Sequence, residues 1–204
     1  MPTWEELQQA TFGWEACLRI AQNFTDHYAL DEEQQSFVYR YAMQVPAGGV
    51  TMELGICNGK TAAVFAYCAR KRGYKAHGID AFILENSEAE LSKALADLGL
   101  PYTIHYALTS SAPIPQKQLA PVAWTRPVDL LLIDGSHTDP WAEADFAEWI
   151  PRMRPGGVAM FHDYDGRDDP SSPHHAVRVA AEKHTRHWGT EYYVNGLMIR
   201  RAPL

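Results

Sequence analysis

The spacing of hydrophobic residues changes from a helical pattern to an alternation of strands and helices at about residue 49. Before that point apolar side chains recur every three or four positions, as at Trp4, Leu7 and Trp14, which predicts helices. After it, short apolar runs predict strands at 50–54, 74–79, 102–108, 128–133 and 157–161, and longer stretches predict helices at 60–71, 87–98, 141–153 and 174–187. Two further strands, 192–194 and 197–200, flank Asn195-Gly196, a strong signal for a hairpin turn.

This order of elements predicts a doubly wound α/β fold with a mostly parallel seven-stranded sheet and a C-terminal antiparallel hairpin. The run 128–133 is the most apolar and is typical of the buried centre of such a sheet. We expect a single domain, in which residues 1–45 form a helical cap and residues 46–204 form the α/β core. In this fold class ligands bind beyond the carboxyl ends of the strands, so functional residues are sought there.

Composition and charge narrow the functional classes. The chain has 204 residues and a net charge of −7 without any basic block, which argues against nucleic acid or an anionic membrane as a partner. It has no apolar run of about 20 residues and no signal-like start, so we expect a cytoplasmic protein. Three scattered cysteines argue against a disulfide scaffold. Many aromatic residues between Trp4 and Tyr41 favour a homodimer, since one helical layer covers them poorly.

Acids and glycines lie at the ends of the first two predicted strands. Gly55 and Gly59 allow close approach of the backbone to a ligand at the start of a helix, but their spacing is not that of a phosphate loop. Glu53 would repel a pyrophosphate and suits a cationic or amine-bearing ligand, whereas Asp80 can accept hydrogen bonds from ribose hydroxyls. Helix capping is the alternative role for such acids. The two glycines, Glu53 and Asp80 together favour a nucleoside ligand over this alternative.

A second pair of acids follows the fourth and fifth strands. Asp134 and Asp163 should meet at one rim of the sheet and bind a divalent cation through oxygen ligands. The alternative is a helix cap at Asp134 and an acidic surface loop at Asp163. His162 competes with Asp163 as a ligand, and the carboxylate is preferred for a hard ion. His174 and His175 are expected to lie in a solvated loop that leads into a helix.

These segments resemble the class I S-adenosylmethionine-dependent methyltransferases. Within that class they are similar to small-molecule O-methyltransferases of the macrocin O-methyltransferase-like group and, more distantly, to catechol O-methyltransferase. The resemblance covers about residues 50–163 and rests on Glu53-Leu54-Gly55 with Gly59, Asp80, Ile133-Asp134-Gly135-Ser136-His137, Arg154-Pro155-Gly156-Gly157 and His162-Asp163-Tyr164. It implies a Rossmann-like methyltransferase fold and transfer of a methyl group to a hydroxyl of a phenolic, sugar or other natural-product acceptor.

The resemblance also implies roles for individual residues. Glu53, Gly55 and Gly59 would surround the methionine part of S-adenosylmethionine, Asp80 would bind the ribose, and Ser110 would lie near the adenine. The full cofactor-binding set is Glu53, Gly55, Gly59, Thr61, Asp80, Ser110 and Asp134. Magnesium or a similar ion would be bound by Asp134, Asp163 and His162. Asp134 would also be catalytic, and His137 would be the general base. A third acidic metal ligand is not identified.

Two other functions remain compatible with these residues. One is a cephalosporin hydroxylase-like enzyme with the same fold and metal pair, and the other is a catalytically silent member that binds a nucleoside. The presence of Glu53, Asp80, Asp134, His137 and Asp163 argues against the silent alternative.

Overall fold

The computed structural model describes residues 4–24, 30–80, 88–106, 124–164 and 169–204, with side chains from residue 13 onward except that of Tyr106. Its helices are α1 (Trp4–Ala21), α2 (Glu32–Ala42), α3 (Lys60–Arg72), α4 (Glu88–Asp97), α5 (Trp141–Trp149) and α6 (His175–Thr185). Its strands are β1 (Val50–Leu54), β2 (Lys75–Asp80), β3 (Thr103–Tyr106), β4 (Val128–Ile133), β5 (Met153–Phe161), β6 (Gly189–Val194) and β7 (Leu197–Arg201).

These strands form one seven-stranded sheet in the order β3-β2-β1-β4-β5-β7-β6. The first five strands are parallel, and β7 pairs antiparallel with both β5 and β6. The chain order reverses between β1 and β4, which is where a doubly wound sheet opens a crevice at its carboxyl edge. The predicted fold class is therefore confirmed, including the hairpin, in which Asn195 and Gly196 both have positive φ.

The core has two layers because successive residues of β4 point to opposite faces of the sheet. Leu130 and Leu132 pack with residues of α1, α2 and α3, whereas Leu131 and Ile133 pack with residues of α5 and α6. All four side chains are almost completely buried. Helices on both faces explain why this strand is a continuous apolar run rather than an alternating one.

Strand β5 begins earlier than its sequence predicts. Its register against β4 shifts, so that Val128 lies opposite Met153 while Leu130 lies opposite Val158. A Cβ atom at Gly157 would come within 2.9 Å of a backbone oxygen, so glycine permits the close approach. The helix predicted to end at 153 instead ends at Trp149 and continues as one 3-10 turn around Pro151.

Most of the N-terminal aromatic side chains that the structure describes pack inside their own chain. Phe24, Tyr39 and Tyr41 are buried, and the Trp14 ring lies 5.5 Å from that of Tyr39. These side chains belong to the larger core layer, so they supply little surface for a second copy. The homodimer stays a prediction. Among the residues with described structure, no helix has both the length and the apolar character needed to span a membrane.

Candidate active site

The segments that follow β1, β4 and β5 meet at the carboxyl edge of the sheet. Backbone hydrogen bonds continue the ladder one residue beyond the strands, from Gly55 to Ile79, from Asp134 to Leu54 and from His162 to Ile133. The first residue after each strand is therefore held as firmly as the strand itself. This arrangement places the glycine turn, Asp134 and the His162-Asp163 pair side by side at the point where the strand order reverses.

The glycine turn after β1 is built by contacts within the protein. Gly55 has φ of 83°, and a Cβ there would lie 2.1 Å from the carbonyl oxygen of Asp134. Gly59 has φ of 86°, and a Cβ there would lie 2.2 Å from Leu91. Sequence reasoning assigned these glycines to close approach of a ligand. The structure shows that they are also required for packing against the neighbouring segment and α4.

Asp80 ties this turn to the end of β2. Its Oδ2 accepts hydrogen bonds from the backbone N–H groups of Ile56 at 2.6 Å and Cys57 at 2.8 Å. Cys57 has φ of 48°, a conformation that costs energy for a residue other than glycine and needs support from its surroundings. Asp80 thus shapes the turn directly, and its predicted contact with ribose would add to this role. Thr61 is buried in the first turn of α3, and Ser110 lies outside the described residues.

Glu53 has a partner that sequence reasoning missed. The carboxylate is almost completely buried and its Oε2 accepts a hydrogen bond from the Tyr102 hydroxyl at 2.5 Å. Burial and the Glu53 charge together raise the pKa of Tyr102 well above its usual range, so this hydroxyl stays protonated as a donor. Gly78 provides the space, since a Cβ there would lie 2.2 Å from the Tyr102 oxygen. A tyrosine directly after a proline carries no signal that could have identified this pair.

His162 lies between the two aspartates at the centre of the site. Its Nδ1 is 2.8 Å from Asp134 Oδ1 and 3.3 Å from Asp163 Oδ2. Asp163 has φ of 54°, so the backbone turns sharply at this residue and aims its carboxylate back toward β4. The structure therefore brings together all three residues predicted to bind a metal, and they offer ligand atoms within 4.8 Å of one another.

Two more imidazoles approach Asp163, one at each carboxylate oxygen. His137 Nε2 lies 3.0 Å from Asp163 Oδ2, and His174 Nδ1 lies 3.9 Å from Oδ1. The two rings contact each other edge to face, with centroids 5.2 Å apart. His174 lies in the turn that leads into α6, as expected, and its side chain also approaches the acidic cluster at the carboxyl end of β5. Sequence spacing gave no signal for this contact.

The charges of this cluster depend on one another. Burial opposes protonation of His162, but hydrogen bonds to Asp134 and Asp163 raise its pKa to about 10. Burial raises the pKa of Asp134, although its hydrogen bond with His162 acts in the opposite direction. For Asp163 burial is outweighed by His162 and the other two imidazoles, and its pKa is lowered. A proton on His162 therefore balances part of the charge of two closely placed carboxylates.

The donor set fits a divalent cation. His137 Nε2 and His174 Nδ1 are buried atoms that make no hydrogen bond with any part of the chain that the structure describes. Buried polar atoms are normally satisfied, and an ion is one of the partners that can satisfy them. A cation bound between Asp134, His162 and Asp163 would also replace the proton that His162 otherwise shares with the carboxylates.

Tyr164, which follows the metal-binding pair, points away from the site. Its hydroxyl donates to Glu182 on α6 at 2.6 Å, and its backbone N–H binds the carbonyl of Gly196 in the hairpin turn. Burial and this carboxylate raise the pKa of Tyr164 to about 12. Tyr164 therefore anchors α6 and the hairpin to the end of β5 and does not act as a base in the site.

A family model described as a methyltransferase domain matches residues 52–164, more than half of the chain. These residues include the glycine turn, Asp80, Asp134, His137, His162 and Asp163. Among curated proteins, an uncharacterized protein of Sinorhizobium fredii is 46% identical over 41 residues, a stretch that covers 20% of this chain and 4% of that protein.

Solved structures share the fold at low identity. The O-methyltransferase TomG of Streptomyces achromogenes, in complex with SAM, has a TM-score of 0.59 at 17% identity and covers 94% of this chain and 89% of its own. A SAM-dependent O-methyltransferase of Thermotoga maritima has a TM-score of 0.58 at 12% identity, over 92% of this chain and 71% of its own. An rRNA methylase of Streptococcus thermophilus has a TM-score of 0.57 at 12% identity, over 86% of this chain and 100% of its own.

Proposed function

Since the chain belongs to the methyltransferase-domain family, we propose that this S-adenosylmethionine-dependent methyltransferase acts on a hydroxyl oxygen of a small molecule. The observation that carries this proposal is the meeting of His137 with Asp134 and Asp163 beside the glycine turn. A hydroxyl acceptor must lose its proton before it can attack a methyl group, and this site offers both a base and a place for a charge that favours the loss.

The cofactor would lie over the glycine turn between β1 and β2. S-adenosylmethionine supplies the methyl group when bound. Asp80 holds the turn amides and would accept hydrogen bonds from the ribose hydroxyls, while Glu53 and the glycine turn would lie near the methionine part. Thr61 in α3 completes this wall. The buried Glu53 carboxylate provides a negative charge close to where a sulfonium and an amino group would be bound.

Proton transfer is assigned to His137. Its Nε2 faces Asp163, and its Nδ1 would accept the proton of an acceptor hydroxyl held beside the ring. Asp163 orients the ring from 3.0 Å away and stabilises the imidazolium that forms. The transfer neutralises two opposite charges, the sulfonium and the alkoxide or phenolate, so a site with little water and fixed geometry favours it.

Asp134, His162 and Asp163 would hold a divalent cation, magnesium or a similar ion. Such an ion lowers the pKa of a hydroxyl that binds to it when present. Asp134 is held at the end of β4 by the sheet ladder, and His162 by its hydrogen bond to Asp134, so both ligands are positioned before an ion arrives. The acceptor would then lie beside these residues and His137.

The test is methyl transfer from labelled S-adenosylmethionine to a panel of catechols, sugars and polyketide alcohols. We expect His137→Ala to lower turnover by roughly 10²–10⁴-fold, the usual contribution of a positioned general base. The loss should shrink for acceptors that are already ionised at the assay pH. His187→Ala, which changes an exposed histidine far from the cluster in the sequence, is the matched control and should leave turnover unchanged.

Two results would overturn this assignment. One is normal turnover by His137→Ala, and the other is methylation of nitrogen or carbon acceptors only, across a panel that includes amines and activated ring carbons. Retained activity in the presence of a chelator would remove the cation from the proposal and leave the methyl transfer in place.

A further inference from the structure

Asp163 presents its two oxygens to two different groups of imidazoles. Oδ2 lies near His162 and His137, at 3.3 and 3.0 Å, whereas Oδ1 faces His174 at 3.9 Å. The described residues thus contain two overlapping sets of candidate ligands, Asp134 with His162 and Asp163, and His137 with Asp163 and His174. His174 reaches this place from the residue before α6, and no motif in the chain assigned it there.

The gap between His174 and Asp163 is the distance that a bridging cation would occupy. At 3.9 Å it is too long for a hydrogen bond. An ion with bonds of about 2.1 Å to nitrogen and to oxygen fits between two atoms at this separation without movement of either. His174 Nδ1 is also buried and makes no hydrogen bond with the described part of the chain. A cation on Asp163 would satisfy it.

The chemistry of the donors bears on which ion binds. Magnesium prefers oxygen ligands and water, and it is poorly served by imidazole. Imidazole nitrogen favours iron, cobalt, nickel, copper and zinc. Apart from His137, the assigned base, this cluster contains two imidazoles and two carboxylates, and one of those imidazoles, His162, lies between the two acids.

We propose that His174 is a further metal ligand, and that the site therefore selects a first-row transition-metal ion such as Fe(II), Co(II) or Zn(II) over magnesium. This inference rests on the proposed cation site, but it concerns the identity of the ion and one additional ligand. His174 Nδ1 and Asp163 Oδ1 supply a nitrogen and an oxygen to this ion, and Asp134 and His162 form the adjoining ligand set through the other oxygen of Asp163. His137 keeps its role as the base, because its ring lies against His174 rather than between the two acids.

The experiment measures metal binding directly. The metal-free protein is titrated with Co(II) and separately with Mg(II) by calorimetry, and the visible absorption spectrum of the Co(II) form is recorded. We expect Co(II) to bind on the order of 10²-fold more tightly than Mg(II). His174→Ala should weaken Co(II) binding by roughly 10- to 100-fold and shift the spectrum, with little change in Mg(II) affinity.

Matched variants separate ligation from general damage. His174→Gln keeps a polar side chain of similar length without the imidazole and should behave as His174→Ala does. His175→Ala changes the adjacent histidine, which belongs to neither ligand set, and should leave both the Co(II) affinity and the spectrum unchanged. Circular dichroism confirms that each variant is folded.

Equal affinity for Co(II) and Mg(II), or His174 variants that bind Co(II) with the wild-type affinity and spectrum, would overturn the inference. Neither result bears on methyl transfer, which is measured separately with labelled S-adenosylmethionine. Conversely, a protein that binds Co(II) through His174 but transfers no methyl group to any hydroxyl would count against the proposed function and leave the metal assignment standing.

Discussion

Acids lie at both edges of the sheet, but the side chains that they pair with differ between the two edges. At the amino edge, Asp129 at the start of β4 accepts a hydrogen bond from the Val50 N–H at 2.8 Å and pairs with Arg154 at 3.1 Å. Nearby, Glu191 on β6 pairs with Arg201 at 2.5 Å and accepts a hydrogen bond from the Tyr41 hydroxyl at 2.6 Å. Each acid at this edge is neutralised by a guanidinium, which keeps its charge at any pH that the protein tolerates.

At the carboxyl edge the partners of Asp134 and Asp163 that the structure describes are imidazoles. A histidine carries positive charge only as a bound proton, and that proton can leave when another cation arrives. A small cavity of about 130 Å³ lies at the amino edge, lined in part by Tyr41, Asp129, Arg154 and Arg201, but its charges are already matched by fixed ion pairs. The partner, rather than the acid, therefore distinguishes a structural carboxylate from one available for ligands.

The largest expected effect is at the carboxyl edge. Asp163→Asn should lower methyl transfer by about 10³-fold or more, because the amide cannot balance a cation or stabilise the His137 imidazolium. Asparagine tolerates the left-handed backbone at this position, so the variant should remain folded. S-adenosylmethionine affinity, measured by calorimetry, should change little. Wild-type turnover by this variant would show that the reaction does not need the Asp163 carboxylate.

Asp80 also lies at the carboxyl edge, but it accepts hydrogen bonds from backbone amides, whereas Asp134 and Asp163 lie beside imidazoles. Asp80→Ala should weaken S-adenosylmethionine binding by about 1.5–3 kcal/mol, because hydrogen bonds that the ribose hydroxyls donate to a charged acceptor are lost. Asp80→Asn keeps an oxygen that can accept from the Ile56 and Cys57 amides and separates support of the turn from contact with the ribose. An unchanged dissociation constant in the folded alanine variant would remove Asp80 from the cofactor site.

At the amino edge the opposite pattern is expected. Asp129→Ala should lower the free energy of unfolding by about 1–3 kcal/mol, because the buried Val50 N–H and the Arg154 guanidinium lose their partner. Turnover should stay within about twofold of the wild type, since the nearest functional residue lies at the other end of the strand. Denaturant unfolding gives the first quantity. A large loss of turnover without loss of stability would show that this edge also takes part in the reaction.

The stability contributed by two histidines paired with each other should change with pH in the opposite sense to that contributed by a histidine paired with acids. His77 Nδ1 lies 3.1 Å from His105 Nε2, and burial, helped by the nearby His105, Arg126 and Lys75, lowers the pKa of His77 to about 4. The unfolded chain then binds the proton more tightly, so stability present above about pH 6.5 is lost as the pH falls toward 4.

Between pH 7 and pH 5 this histidine should cost about 1–2 kcal/mol of stability. The measurement is the difference between the unfolding free energies of the wild type and His77→Gln as a function of pH, which cancels the contributions of other groups such as His162. Parallel curves for the two proteins would show that His77 does not titrate in this way.

Several features of the fold and site were predictable because they depend on neighbours in the chain. The apolar run at 128–133, the Asn195-Gly196 turn and the acids at the carboxyl ends of β1, β2, β4 and β5 all follow from local spacing and residue type. The extension of β5 was not predictable, because Arg154-Pro155-Gly156-Gly157 is a poor strand sequence that is held in place by the shifted register with β4.

The sequence by itself determined the order of strands and helices, the edge at which the acids would gather and the family of methyltransferase domains to which the chain belongs. Only the tertiary structure decided which side chains meet there. Tyr102 reaches Glu53 from the residue before β3, across β2, and His174 reaches Asp163 from the residue before α6. Both contacts join segments that no periodicity links. Hydrophobic patterning specifies which face of an element is buried, whereas the contacts of polar side chains depend on how those elements pack in three dimensions.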